Sequence, residues 1–150
     1  MKAKERILYP TDFSPAAKPA FEYALETAQH DDAVLILAHV IEPDSPYADD
    51  LALALKGPGR DAVEAAVRRQ FDGLLARAKA ADVQACDLLR YGRPAEEIVN
   101  AAVAEFADLI VMGTHGRTGL RRLMLGSVAQ QVVATAPCPV VTVRMKDPLP

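Results

Sequence analysis

The chain has 150 residues and a formal net charge of −3, and it contains no tryptophan. That length suits one domain able to bury its own core without disulfides or metal. The acidic balance argues against non-specific nucleic-acid binding, which rests on a basic surface, and no 18-residue apolar stretch is present to span a membrane. Cys86 and Cys138 form no CxxC pair, and the N-terminus carries no long apolar leader core, so the expected compartment is the reducing cytoplasm.

Apolar runs alternate with segments of helical period. Arg6–Thr11 reads as a first strand ending in turn chemistry, and Ser14-Pro15 as an N-cap with proline at the first helical position. Phe21, Leu25 and Ala28 then carry a helix to about Gln29. Ala33–Ile41 is apolar almost throughout, as a strand covered on both faces should be. Glu42–Gly59 is loop-like, and its Leu51–Leu55 stretch suits a helical turn or a partner surface. Val63, Val67, Phe71, Leu74 and Ala78 mark a long second helix. Val83–Tyr91 alternates weakly and reads as an edge strand. A helix follows Gly92-Arg93-Pro94, with Glu96 and Glu97 at its positive end. Asp108–Met112 is a fourth strand, Gly113–Leu125 a loop, Ser127–Ala134 a helix and Val140–Arg144 a fifth strand.

Strict β-α alternation predicts a doubly wound α/β fold with a parallel sheet and helices on both faces. Ligands in such sheets bind beyond the carboxyl ends of the strands, where the strand order reverses. Three segments are therefore candidates: Pro10–Ser14, His39–Glu42 and Met112–Ser127. The third is glycine-rich, follows a strand and ends at a helix start. Glycines let backbone N–H groups approach a phosphate, and a helix start offers unpaired donors with a positive dipole end. Thr114, Thr118 and Ser127 add hydroxyls, and Arg117 adds charge. A β-branched residue at Gly126 is expected to block phosphate approach. The segment is neither a P-loop, since no Lys stands between Gly126 and Ser127, nor a dinucleotide fingerprint, since the first strand is followed by TDFSP. The bland alternative stays open: the glycines turn the chain, and Ser127 with Gln130 forms a capping box.

The spacing Gly113-x2-Gly116-x9-Gly126-Ser127 resembles the ATP-binding signature of the universal stress protein family. ILYPTDFSPAAKPAFEYA, LILAHVIEP, DLIVMGTHGRTGL and GSVAQQVVATAPCPVVTVR look like family segments in order, leaving the Asp44–Arg60 loop without a clear counterpart. The resemblance implies a five-stranded parallel sheet ordered 3-2-1-4-5. It implies that Asp12 contacts the nucleoside, that Pro10 and Thr11 flank adenine, and that Val40 meets adenine through its backbone. Met112 and Gly113 would border base and ribose. Gly116, Arg117, Gly126, Ser127 and Val128 would surround the phosphates, with Thr114 and His115 in the same loop. ATP, with Mg2+, is the implied ligand, and a homodimer through Val140–Arg144 the implied assembly.

Other readings compete at single residues. Asp12 suits an Asx-turn as well as a ribose or metal contact. His39 suits a core histidine with a local hydrogen bond, and no two histidines share ligand spacing. Cys138, between Pro137 and Pro139, suits a rigid strand entry. Ser14 has no GxSxG context for a nucleophile. Arg121 and Arg122 form either a solvated face or a lid over phosphates, and Arg144 and Lys146 either permit the dimer or keep the edge monomeric. The function expected is an ATP-binding stress-response module whose nucleotide state is read by partners. The alternatives are a slow Mg-dependent ATPase or a nucleotide-free dimeric interaction protein.

Overall fold

A computed structural model of the chain describes residues 2–43, 59–115 and 125–146. The Leu51–Leu55 stretch lies outside these residues. Among the described residues five strands alternate with four α-helices: β1 (Arg6–Pro10), α1 (Lys18–Asp31), β2 (Val34–Ile41), α2 (Gly59–Ala80), β3 (Ala85–Tyr91), α3 (Pro94–Ala104), β4 (Leu109–Gly113), α4 (Ser127–Thr135) and β5 (Val140–Val143). All pairings are parallel, in the order β3-β2-β1-β4-β5. The expected strand order and the edge position of β3 are therefore observed. None of the described helices is long and apolar enough to cross a membrane.

The central strands are apolar throughout because they are covered on both sides. Ile7, Tyr9, Leu35, Leu37 and Val111 pack against α1 and α2, through Phe21, Leu25, Val67 and Phe71. Leu8, Ile36, Ala38, Ile110 and Met112 pack against α3 and α4, through Ile98, Ala101, Ala129 and Val132. Period-two alternation within each strand thus feeds two cores. Small residues (Ala20, Ala24, Ala28 and Ala101) are fully buried where helices lie close to the sheet.

Two local readings are refined. Ser14 is an N-cap with Pro15 at the first helical position, but of a 3-10 turn over Pro15–Ala17 that precedes α1, and its Oγ is buried with no hydrogen-bond partner among the described residues. The Ser14 carbonyl instead accepts the Ala17 N–H at 3.0 Å. The Ser127–Gln130 capping box is absent. Gly126 is the N-cap of α4, which places Ser127 inside the first turn, and the Gln130 amide donates to the Leu125 carbonyl at 2.6 Å.

Tyr9 ties β1 to that 3-10 turn. Its hydroxyl donates to the Ala17 carbonyl at 2.8 Å. Burial pushes its pKa from 10.0 to about 12, and the carboxylates of Asp12 and Glu22 push the same way. The unfolded phenol ionises first, so this stabilisation is complete below pH 10 and is lost as pH rises towards 12. Urea unfolding across that window is expected to show the wild type losing roughly 2–3 kcal/mol more than Tyr9→Phe. At neutral pH the variant should be about 1 kcal/mol less stable, because the Ala17 carbonyl is left unpaired.

Candidate functional site

The strand order reverses at β1, which has β2 on one side and β4 on the other. The two neighbours are held to different lengths. The β1–β2 ladder runs from Arg6↔Val34 to Pro10↔Ala38 and is prolonged by Thr11 N–H donating to the Ala38 carbonyl at 2.8 Å. The β1–β4 ladder pairs Ile7 with Leu109 and Leu8 with Ile110 and stops there. In a parallel strand successive residues turn their N–H and C=O to opposite neighbours. Arg6 exchanges bonds with Asp108 beside β4, while Thr11 bonds β2, so Pro10 falls on the β4 side. Proline has no N–H to give, and the β1–β4 ladder ends before it. The ligand crevice of such a sheet lies at this switch point, beyond the strand ends.

One wall is the turn after β1. Thr11 is buried, and its Oγ1 accepts the Phe13 N–H at 2.9 Å. Asp12 Oδ1 accepts the Ser14 N–H at 2.9 Å, the Asx-turn read as one alternative from the sequence. Asp12 Oδ2 makes no hydrogen bond among the described residues, so the carboxylate keeps an acceptor for a ligand. Phe13 has a left-handed backbone, with φ 62°, a sparsely populated conformation for an aromatic residue. Its ring packs on His39, with centroids 4.7 Å apart, and edge-on against Phe71.

Behind this wall, His39 Nδ1 bonds the Thr11 carbonyl at 2.7 Å. A carbonyl only accepts, so Nδ1 carries the proton. His39 is therefore the core histidine with a local hydrogen bond that its apolar strand suggested. Val40, the next residue, is half-buried at the end of β2. Its N–H and C=O face the β1 side, beyond the last β1 residue.

The opposite wall is the end of β4 and the start of α4. The Gly126 N–H donates to the Thr114 carbonyl at 2.7 Å, and the Thr114 N–H donates to Val143 at 3.2 Å, so both ends of the glycine loop are pinned together beside β5. The first intrahelical bond of α4 is Gln130 N–H to the Gly126 carbonyl. The N–H groups of Ser127, Val128 and Ala129 precede it and stand at the positive end of the helix. Ser127 is exposed, and its hydroxyl has no hydrogen bond among the described residues. Thr114 Oγ1 lies 3.0 Å from His115 Nδ1, and His115 Nε2 is buried without a partner among the described residues. That atom and Ser14 Oγ belong to the two segments that flank the crevice.

Of the residues named from sequence, Pro10, Thr11, Asp12, Gly113, Thr114, His115, Gly126, Ser127 and Val128 lie on the two walls, and Val40 at the neighbouring strand end. Met112 has its side chain buried in the core under α3 and α4, and its backbone N–H and C=O face β5, as those of Ile110 and Thr114 do. Gly116 and Arg117 lie outside the described residues, as do Thr118, Gly119, Arg121 and Arg122. Phe13 was missed, since nothing in an aromatic residue between Asp and Ser signals a left-handed turn. Among the described residues no three His, Cys, Asp or Glu side chains are grouped to hold a metal ion. Cys86 and Cys138 are free, and burial pushes both thiols up, away from the reactive thiolate.

Comparison with known proteins agrees with this fold. The profile of the Universal stress protein family matches residues 4–144. The chain is 41% identical over 143 residues to the "Universal stress protein in QAH/OAS sulfhydrylase 3'region" of Thermus aquaticus, covering 92% of this chain and 97% of the relative. Among solved structures it is similar to MJ0577 of Methanocaldococcus jannaschii, with TM-score 0.75, 30% identity and coverage of 96% and 98%. It is also similar to a universal stress protein in complex with cAMP, with TM-score 0.66, 25% identity and coverage of 97% and 100%.

The two described signature glycines have a packing reason independent of any ligand. A Cβ at Gly126 would stand 3.0 Å from the Thr114 carbonyl oxygen, and one at Gly113 would stand 3.1 Å from that of Ala16. Both contacts are with backbone, which does not swing aside. Gly126→Ala is therefore expected to lower stability by about 1–3 kcal/mol in urea unfolding with no nucleotide present. An unchanged transition would mean that this glycine acts at the ligand alone. The same crowding means that weaker binding by Gly126→Val reports loop packing as well as phosphate access.

Proposed function

This chain belongs to the universal stress protein family, and on that premise we propose that it binds ATP in the crevice between β1 and β4 and acts as a stress-response module read by partner proteins. One observation carries the reading. Unpaired backbone groups border the same crevice from both sides, Val40 at one end and the start of α4 at the other, with the Asp12 carboxylate between them in the chain's layout. Adenine suits the Val40 end, because its edge offers a donor beside an acceptor. Ribose hydroxyls suit Asp12 Oδ2. Phosphates suit Gly126, Ser127 and Val128, where a helix start favours negative charge. Thr114 and His115 border the phosphates, and Gly116 and Arg117 complete the loop. Pro10, Thr11, Met112 and Gly113 shape the floor. The similar protein solved with cAMP supports an adenine nucleotide as the ligand class.

Mg2+ is proposed to enter with ATP, held chiefly by phosphate oxygens and water, which matches the preference of this ion for few protein ligands. Asp12 has one oxygen committed to Ser14, so the site is read as binding nucleotide, with any hydrolysis slow. Free cysteines fit the proposed cytoplasmic location.

Titration calorimetry is expected to show ATP binding, and no heat at millimolar ATP would overturn the reading. Asp12→Asn keeps an Oδ1 acceptor for Ser14 while removing the charge. It is expected to weaken ATP binding about fivefold, the difference between a charged and a neutral hydrogen bond.

We also propose a homodimer through the outer edge of the Val140–Arg144 segment. Residues 139 and 143 bond β4, so the N–H of Thr142 faces away from the sheet. Thr142→Pro removes that outward donor while sparing the β4 ladder. Sedimentation is expected to show a dimer for the wild type and a monomer for the variant.

A further inference from the structure

The β1–β2 ladder ends one bond short. Thr11 N–H donates to the Ala38 carbonyl. In a parallel ladder the next bond runs from the Val40 N–H to the Thr11 carbonyl. It is not made: that carbonyl is taken by His39 Nδ1 at 2.7 Å, and no backbone bond joins Thr11 to Val40. The imidazole is held in place by the Phe13 ring at 4.7 Å, and Phe13 is in turn wedged against Phe71 of α2. The left-handed backbone of Phe13, at φ 62°, brings its ring back over His39.

From this substitution we propose that His39 is a positioning residue for the base end of the nucleotide site. By occupying the Thr11 carbonyl it keeps the Val40 N–H out of the sheet and available to a ligand. It also fixes the Thr11–Ser14 turn that carries Asp12. The inference rests on the nucleotide reading above and assigns His39 a role within it, with no contact between His39 and the ligand.

The side chain of asparagine places an amide N–H where imidazole has Nδ1–H, whereas leucine fills the space with no donor. In His39→Leu the Thr11 carbonyl is released and the ladder zips by one bond. Amide hydrogen exchange on the nucleotide-free protein reads this directly. The Val40 amide is expected to exchange at least tenfold more slowly in His39→Leu, a single new backbone bond being worth about that factor, and at the wild-type rate in His39→Asn. A purely structural role for His39 would move protection the other way. Calorimetry gives a second arm: ATP affinity is expected to fall about tenfold in His39→Leu and to be retained in His39→Asn, while inorganic tripolyphosphate binds both like the wild type. Unchanged Val40 exchange in a folded His39→Leu overturns the proposal. So does an equal loss of ATP and tripolyphosphate binding, or ATP affinity left unchanged. Should the leucine variant not fold, His39→Gln, whose longer amide does not reach the Nδ1 position, takes its place under the same criteria. Wild-type protein that binds no ATP would overturn the nucleotide reading, and the exchange arm would then decide whether His39 withholds Val40 from the ladder.

Discussion

The end of the β1–β4 ladder at Pro10 is the constraint on which the rest of the site depends. A parallel sheet gives each strand two neighbours and satisfies its backbone on both sides. β1 keeps β2 as far as Thr11 but releases β4 after Leu8. An N–H at position 10 would face β4, and proline carries none, so the ladder ends there with no donor left over. β4 runs on beside β5 up to Gly113↔Val143.

Around that point the chain uses side chains and glycines to stop its own ladders. His39 takes an acceptor that the Val40 amide would otherwise claim. Asp12 takes the Ser14 N–H, next to Thr11 Oγ1 on the Phe13 N–H. Gly126 closes on the Thr114 carbonyl so tightly that a Cβ has no room, and in doing so sets the first turn of α4 beside the end of β4. The unpaired backbone groups are those of Val40 and of the first turn of α4, and such groups recognise a ligand by main chain and not by a dedicated set of charged side chains. Two buried polar atoms without partners among the described residues, Ser14 Oγ and His115 Nε2, lie in the segments after β1 and β4, whereas the two cores beneath are closed and apolar.

The fold was legible in the sequence because its signal is periodic. Arg6–Thr11, Ala33–Ile41 and Asp108–Met112 are apolar without alternation, as doubly covered strands must be, and the helices between them carry a clear 3.6-residue stripe. Boundaries shifted by a residue or two where hydrogen bonding, not hydrophobicity, sets the end, as when β4 runs on to Gly113 through its pairing with Val143. Capping was less legible. Ser14 and Ser127 have the chemistry of N-caps, yet Asp12 serves the first turn and Gly126 occupies the second cap, since a cap is decided by where the backbone turns and not by which hydroxyl is nearby.

By itself, then, the sequence determined the alternating α/β order, the two-sided burial of the central strands, the family signature from Gly113 to Ser127 and the candidate segments at the strand ends. Each of these is encoded in residues close together in the chain. The tertiary structure alone decided which of those segments meet, because Thr11 reaches His39, and Thr114 reaches Gly126, only when separate strand and helix ends are brought side by side at the carboxyl end of the sheet. It also decided that His39 stands in for a missing backbone bond and that Phe13 turns left-handed to hold it. Those are relations between backbone groups of different strands, and a hydrogen bond that is withheld leaves no mark in the residue pattern.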